Sequence, residues 1–155
     1  MQIKLLDAAI PAARHLLDLS DAYMGALYPA ESNHLVDVSS LKQADVYFIG
    51  GYVDDELVAC GAVKLMDDDG VYGEIKRVFV LEAHRGKGYS RRVMESLEQH
   101  LRNKDVRIAR LETGIRQPEA LGLYRKLGYI EREPYGAYQL DPLSLFMEKA
   151  LNATT

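Results

Sequence analysis

The segment Arg85-Gly86-Lys87-Gly88-Tyr89-Ser90 has the residue types and spacing to hold an anion. It follows a strand-like stretch, Ile75 to Val80, and leads into a stretch where Val93, Leu97 and Leu101 recur on one helical face. Glycine lets the backbone turn tightly and present several amide hydrogens to one guest. The unpaired amides at a helix start add about 0.3–1 kcal/mol of charge stabilisation. A pyrophosphate suits such a cradle. Two other phosphate loops fit poorly. A nucleoside triphosphate loop needs lysine followed by serine or threonine, whereas Gly88 follows Lys87 and Glu82 stands where the earlier glycine belongs. The dinucleotide fingerprint would need glycine at Arg91 and a parallel strand-helix-strand setting.

Other reactive residue types lack a partner pattern. Cys60 is the single cysteine and lies within the apolar run Leu57 to Val63, where a small buried residue fits the core. His15, His34, His84 and His100 are widely spaced, with no second histidine or cysteine at a metal-site interval, so no metal is expected. Asp67-Asp68-Asp69-Gly70 lacks the ligand spacing of a calcium loop and is expected to be a solvated turn.

The elements that must position the loop follow from periodicity. Ile3 to Leu6 suits a short strand, and Leu16, Leu19, Tyr23 and Leu27 mark an amphipathic helix with Pro11 in its first turn. Tyr28 to His34 breaks that helix and could form a cover, and a brief helical stretch is expected from Ser40 to Ala44. Strands at Val46 to Val53, Leu57 to Met66 and Tyr72 to Leu81 make an antiparallel meander. A helix from Gly88 to Asn103, a strand from Val106 to Thr113, and a helix opened by Pro118 and closed by Gly128 follow. Tyr129 to Arg132 and Leu145 to Leu151 supply the last strands. No repeat or linker interrupts the chain, which predicts one α+β domain over residues 1–151 and a frayed tail over 152–155.

The 155 residues suffice for one core without disulfides. An apolar fraction of 48% and a charged fraction of 27% are those of an ordinary globular protein. No apolar run approaches the roughly 20 residues that span a bilayer, so no membrane association is expected. Neither is a signal peptide, which points to a cytoplasmic location. The formal charge of -4 argues against broad nucleic-acid binding, although Arg85, Lys87, Arg91 and Arg92 gather positive charge at the loop.

The loop resembles the acetyl-CoA loop of the GNAT acetyltransferase superfamily, Arg/Gln-x-x-Gly-x-Gly/Ala, with Ser90 departing at the last position. Serine is small enough to keep the backbone approach open. Glu74-Ile75-Lys76-Arg77-Val78-Phe79-Val80 resembles the family strand before the loop. Gln117-Pro118-Glu119-Ala120-Leu121-Gly122-Leu123-Tyr124-Arg125-Lys126-Leu127-Gly128-Tyr129 resembles its Asn-x-x-Ala-x-x-x-Tyr-x-x-x-Gly-Phe/Tyr segment, with Gln117 preserving an amide where asparagine is usual.

The resemblance implies a mixed, mostly antiparallel sheet whose fourth and fifth strands splay apart, flanked by helices. It implies that Val78 and Val80 offer backbone to pantetheine, and that the amides of Arg85, Gly86, Lys87, Gly88, Tyr89 and Ser90 hold the diphosphate, with Gln117 as a further cofactor contact. It makes Tyr124 the acid for the departing thiolate and Glu74 the general base. The alternatives are a tyrosine that packs beneath the cofactor and an ordinary strand carboxylate. The family fold places the segments Tyr28 to Leu35 and Tyr135 to Tyr138 around the cleft mouth, where Asn33 and His34 could orient a polar acceptor, the alternative being a capped turn followed by a surface histidine. Glu112 and Thr113, at the end of the expected fifth strand, could also face the acceptor or equally serve packing and a turn. The implied reaction is direct attack of a primary amine, on a small molecule or a peptide, upon acetyl-CoA. The competing function is a non-catalytic acyl-CoA-binding module. Members of the family often dimerise, and the apolar C-terminal strands could pair across a homodimer.

Overall fold

The computed structural model describes residues 1–30 and 38–152. Seven strands form one mixed sheet: β1 Gln2–Leu5, β2 Val46–Val53, β3 Glu56–Met66, β4 Tyr72–Val80, β5 Ile108–Gly114, β6 Ile130–Arg132 and β7 Ser144–Ala150, in the order β1-β2-β3-β4-β5-β7-β6. Three α-helices accompany it: α1 Pro11–Leu27, α2 Tyr89–Asn103 and α3 Pro118–Lys126. Every pairing is antiparallel except β4 with β5. A parallel pair needs a crossover, and α2 is that crossover. The α+β fold and its single parallel pair match the expected architecture.

Strand alternation sorts the core into two layers. Phe48, Cys60 and Ala62 point toward Ala13, Leu16 and Leu17 of α1. Ile49, Ala59, Val63 and Ile75 point the other way, toward Val93, Leu97 and Leu101 of α2 and Leu121 and Tyr124 of α3. Two strand glycines admit α2. A Cβ on Gly73 would collide with Leu101, and one on Gly61 with Val93. The β2–β3 hairpin turns on Asp54 and Asp55 with φ of 49° and 64°, the left-handed geometry of a two-residue turn.

Two expectations shift. The stretch expected to be helical from Ser40 to Ala44 is a 3-10 turn at Val38–Lys42. The aspartates after β3 are more than a solvated turn: Asp68 accepts a hydrogen bond from the Tyr72 hydroxyl at 2.7 Å, and Asp69 pairs with the buried Arg110 at 3.3 Å. Among the described residues no helix is long and apolar enough to cross a membrane.

Candidate active site

The site begins where β4 and β5 part. Their parallel pairing runs only through Gly73↔Ala109, Glu74↔Arg110 and Ile75↔Leu111. Beyond it β4 stays with β3 as far as Val80, while β5 stays with β7 as far as Gly114, so a wedge opens between them. An extra residue in β4 helps to turn it away: the register with β3 shifts opposite Gly61, and Arg77 takes φ of 58°. That conformation is costly for a residue with a Cβ, and it is held from two sides. The Arg77 carbonyl accepts from the Cys60 thiol, and its buried guanidinium pairs with Asp21 of α1.

Leu81 N–H donates to Val58 on β3. By alternation the backbone polar groups of Val78 and Val80 face the wedge instead. One of them is already engaged. The Arg85 Nε donates to the Val80 carbonyl at 3.0 Å, and its guanidinium lies over the rings of Tyr23 and Phe79 at 5.0 and 5.5 Å. The Arg85 side chain is therefore folded back onto strand and α1. By the same alternation the Val78 N–H and carbonyl and the Val80 N–H are the groups turned to the wedge with no bond among the described residues.

The loop itself has the backbone that an anion cradle needs. Gly86 and Gly88 have φ of 78° and 80°, with open space where a Cβ would sit, so backbone freedom rather than crowding calls for glycine there. Gly88 is the N-cap of α2, with no side-chain cap and no acid in the first turn. The first-turn amides, beginning at Tyr89 and Ser90, are left without intrahelical partners. Val78, Val80, Arg85, Gly86, Gly88, Tyr89 and Ser90 line a groove closed on its other side by Gln117, Pro118, Ala120 and Tyr124. Lys87 is exposed outside that lining, and Arg91 pairs on the surface with Glu95. His84, a residue without a metal-site partner in the sequence, also lines the groove. Its only signal was adjacency to the loop.

The groove ends at a second pocket, and the two share Val78, Phe79, Tyr23, Gln117 and Tyr124. Tyr124 is buried, and its hydroxyl has no partner among the described residues. Burial, helped by the nearby Glu112 charge, pushes its phenol up to about 12, so it is neutral at physiological pH. The second pocket continues past Tyr124 to Lys76, Arg77, Glu112, Thr113, Tyr28 and Tyr138. Glu112 and Thr113 thus stand in a cavity beside the wedge. Asn33 and His34 lie outside the described residues.

Glu74 sits one step back. It is 3% exposed, on the paired part of β4, and does not line either pocket. One carboxylate oxygen accepts from the Tyr135 hydroxyl at 2.9 Å and the other meets the Lys76 ammonium at 2.9 Å. The Tyr138 phenol also lies close enough to this carboxylate to feel its charge. Lys76 and Tyr138 both line the second pocket, so Glu74 reaches it through them. Burial and the Glu74 charge hold the phenols of Tyr135 and Tyr138 well above the ordinary tyrosine range.

Comparison with known proteins fits this geometry. Residues 11–129 match the Acetyltransferase (GNAT) family. The chain is 44% identical over 140 residues to an IAA acetyltransferase of Azospirillum brasilense, covering 90% of this chain and 91% of the relative. A crystal structure described as an acyl-CoA N-acyltransferase of Klebsiella pneumoniae superposes with a TM-score of 0.84 at 34% identity, covering 97% of each chain. The PaiA N-acetyltransferase of Thermoplasma acidophilum, solved with coenzyme A, shares the fold at 15% identity, with a TM-score of 0.72 over 97% of this chain and 99% of that one. The splayed strands, the glycine loop on α2 and these matches together place the chain in the GNAT acetyltransferase family.

Proposed function

We propose that this acetyltransferase moves an acetyl group from acetyl-CoA to a primary amine by direct attack in a ternary complex. The carrying observation is Tyr124, whose phenol has no partner among the described residues and stands where the loop-side groove meets the pocket of Glu112, Thr113 and Tyr138. The solved relative with bound coenzyme A supports assigning the groove to the cosubstrate. The diphosphate would rest on the Gly86 to Ser90 amides, and pantetheine would pair with the open edge at Val78 and the Val80 N–H. The thioester would then arrive at Tyr124.

The acceptor enters from the other pocket. A lysine-like amine with pKa about 10.4 is protonated at pH 7, and freeing its lone pair costs on the order of 4 to 5 kcal/mol. Glu112 supplies negative charge along the entry, and Glu74 takes the proton through Tyr138. The nitrogen attacks the thioester carbonyl, a C–N bond forms, and the C–S bond breaks as the electron pair moves to sulfur. Tyr124 donates a hydrogen bond to that sulfur, and the second proton, shed by the nitrogen as the amide forms, ends on the sulfur by way of this hydroxyl, so that CoA leaves as the thiol and the phenol is restored. Products are an acetylated amine and CoA.

Acceptor identity is tested by measuring CoA release with a panel of small amines, polyamines and peptide N-termini. IAA belongs on the panel because the Azospirillum relative carries it in its name. Release that depends on one acceptor, with the acetyl group recovered on its nitrogen, supports the proposal. Tight acetyl-CoA binding with no acceptor-dependent release from any compound would instead favour a non-catalytic acyl-CoA-binding module.

A further inference from the structure

Tyr28, the residue that ends α1, does more than wall the acceptor pocket. It is 5% exposed, and its ring lies against the end of β5 so closely that any Cβ on Gly114 would overlap the hydroxyl. Gly114 is therefore glycine because a phenol occupies its side-chain space. The hydroxyl is used twice. It accepts the Arg116 N–H at 3.1 Å and donates to the Gln117 Oε1 at 3.2 Å. Arg116 completes the lock from outside, donating to the Leu27 carbonyl with its guanidinium 5.9 Å from the Tyr28 ring centre.

The consequence falls on Gln117. This residue is the N-cap of α3, yet its side chain makes no capping bond. Its oxygen is taken by Tyr28, its amide nitrogen has no partner among the described residues, and it lines both the groove and the acceptor pocket. A primary amide whose oxygen is turned toward and accepts from a neighbour presents its two N–H donors on the other side.

We infer that Tyr28 is a positioning residue for acyl-CoA: by holding the Gln117 oxygen, it aims the Gln117 N–H at a carbonyl oxygen of the acyl-pantetheine arm. The inference rests on the acyl-CoA reading of the groove and adds a link from the acceptor wall to the cosubstrate. Tyr28 acts through Gln117 and need not touch the cosubstrate itself.

The test is a double-mutant cycle read by calorimetric titration with CoA and with acetyl-CoA. The proteins are wild type, Tyr28→Phe, Gln117→Ala and the double variant. Tyr28→Phe keeps the ring and removes only the hydroxyl. Losing a neutral hydrogen bond, or the alignment it provides, should weaken binding about three- to tenfold. Gln117→Ala should weaken it by a similar factor, and the double variant should be no weaker than Gln117→Ala alone. Equal weakening for both ligands identifies a pantetheine carbonyl as the partner. Weakening for acetyl-CoA alone identifies the thioester carbonyl. Gly114→Ala, which must expel the ring, should weaken binding in the wild-type background and leave Gln117→Ala unchanged. Should that variant fail to fold, the Tyr28→Phe cycle still decides. Unchanged binding in Tyr28→Phe, or factors that multiply in the double variant, would overturn the inference and reduce Tyr28 to packing. Failure of the wild type to bind CoA would instead sink the acyl-CoA reading beneath it.

Discussion

Replacing Tyr124 with phenylalanine removes one oxygen from the place where groove and pocket meet. The ring stays packed against Tyr129, with centroids 6.0 Å apart, and the hydroxyl has no partner to orphan among the described residues. Tyr124→Phe should therefore change folding stability by less than about 1 kcal/mol. Catalysis should respond more strongly. A hydrogen bond to a group gaining charge contributes about 1.5–3 kcal/mol, and sulfur gains charge only as the C–S bond breaks. That range is roughly a 10- to 150-fold loss in kcat. The acetyl-CoA KM should move little, because the ground-state thioester sulfur is a poor acceptor. The phenol at about 12 also sets the form of its help. A thiol near 8.5 is the stronger acid by about 3.5 units, so complete proton transfer in the ground state would cost about 5 kcal/mol. A donated hydrogen bond that strengthens toward the transition state fits better than an early full transfer. Because the folded pKa is raised, the proton stays on through mildly alkaline pH, and this donor should not shape the rate profile between pH 7 and 10. The assay is initial-rate release of CoA at saturating acetyl-CoA, with thermal unfolding as control. A kcat within twofold of wild type in a folded variant would remove Tyr124 from the chemistry.

Three further predictions test the loop, the direct-attack route and the C-terminal sheet. Gly88→Ala forces a Cβ into φ of 80°, which costs about 1–2 kcal/mol, and should raise the CoA dissociation constant through the distorted cradle; calorimetry that shows unchanged affinity would contradict the loop assignment. Cys60 is fully buried, and burial pushes its thiol up to about 12, so Cys60→Ala should keep kcat within about twofold and the native thiol should resist alkylation. Burial raises the proton affinity of Glu148, but hydrogen bonds from Arg110 and Arg132 outweigh it and hold the carboxyl below its usual 4.5. A depressed folded pKa gives stability that is complete above the unfolded value and is lost as pH falls through the folded one. Glu148→Gln should thus cost about 1–2 kcal/mol near pH 7, with the gap to wild type closing below pH 4.5 in denaturant titrations.

The sequence spoke most clearly where function constrains residue type through backbone geometry or face periodicity. Gly86 and Gly88 advertise positive φ, and Val93, Leu97 and Leu101 advertise the face of α2 that Gly61 and Gly73 receive. The wedge itself was reached only through family resemblance, because an exposed strand edge is made of amides that every residue carries. Side-chain direction was harder still. Arg85 belongs to the loop, yet its guanidinium serves Val80, Tyr23 and Phe79, and nothing in its neighbours announces that fold-back. Glu74 was legible as a carboxylate on the right strand but not as one behind Tyr138 and Lys76, since strand alternation gives a face and not a distance. The strained Arg77 is a residue that rarely takes φ of 58°, and only the completed register with β3 reveals why it does. The partnership of Tyr28 with Gly114 and Gln117 spans 89 positions between hydroxyl and amide, beyond any local pattern.

The central claim is direct transfer between two substrates held together at Tyr124. Its most direct test is the initial-rate pattern with both acetyl-CoA and the identified acceptor varied. Attack within a ternary complex predicts lines that intersect in the double-reciprocal plot, with no acetylated protein trapped when acetyl-CoA is mixed with enzyme alone. Parallel lines, together with an acetyl group recovered on the protein, would contradict it.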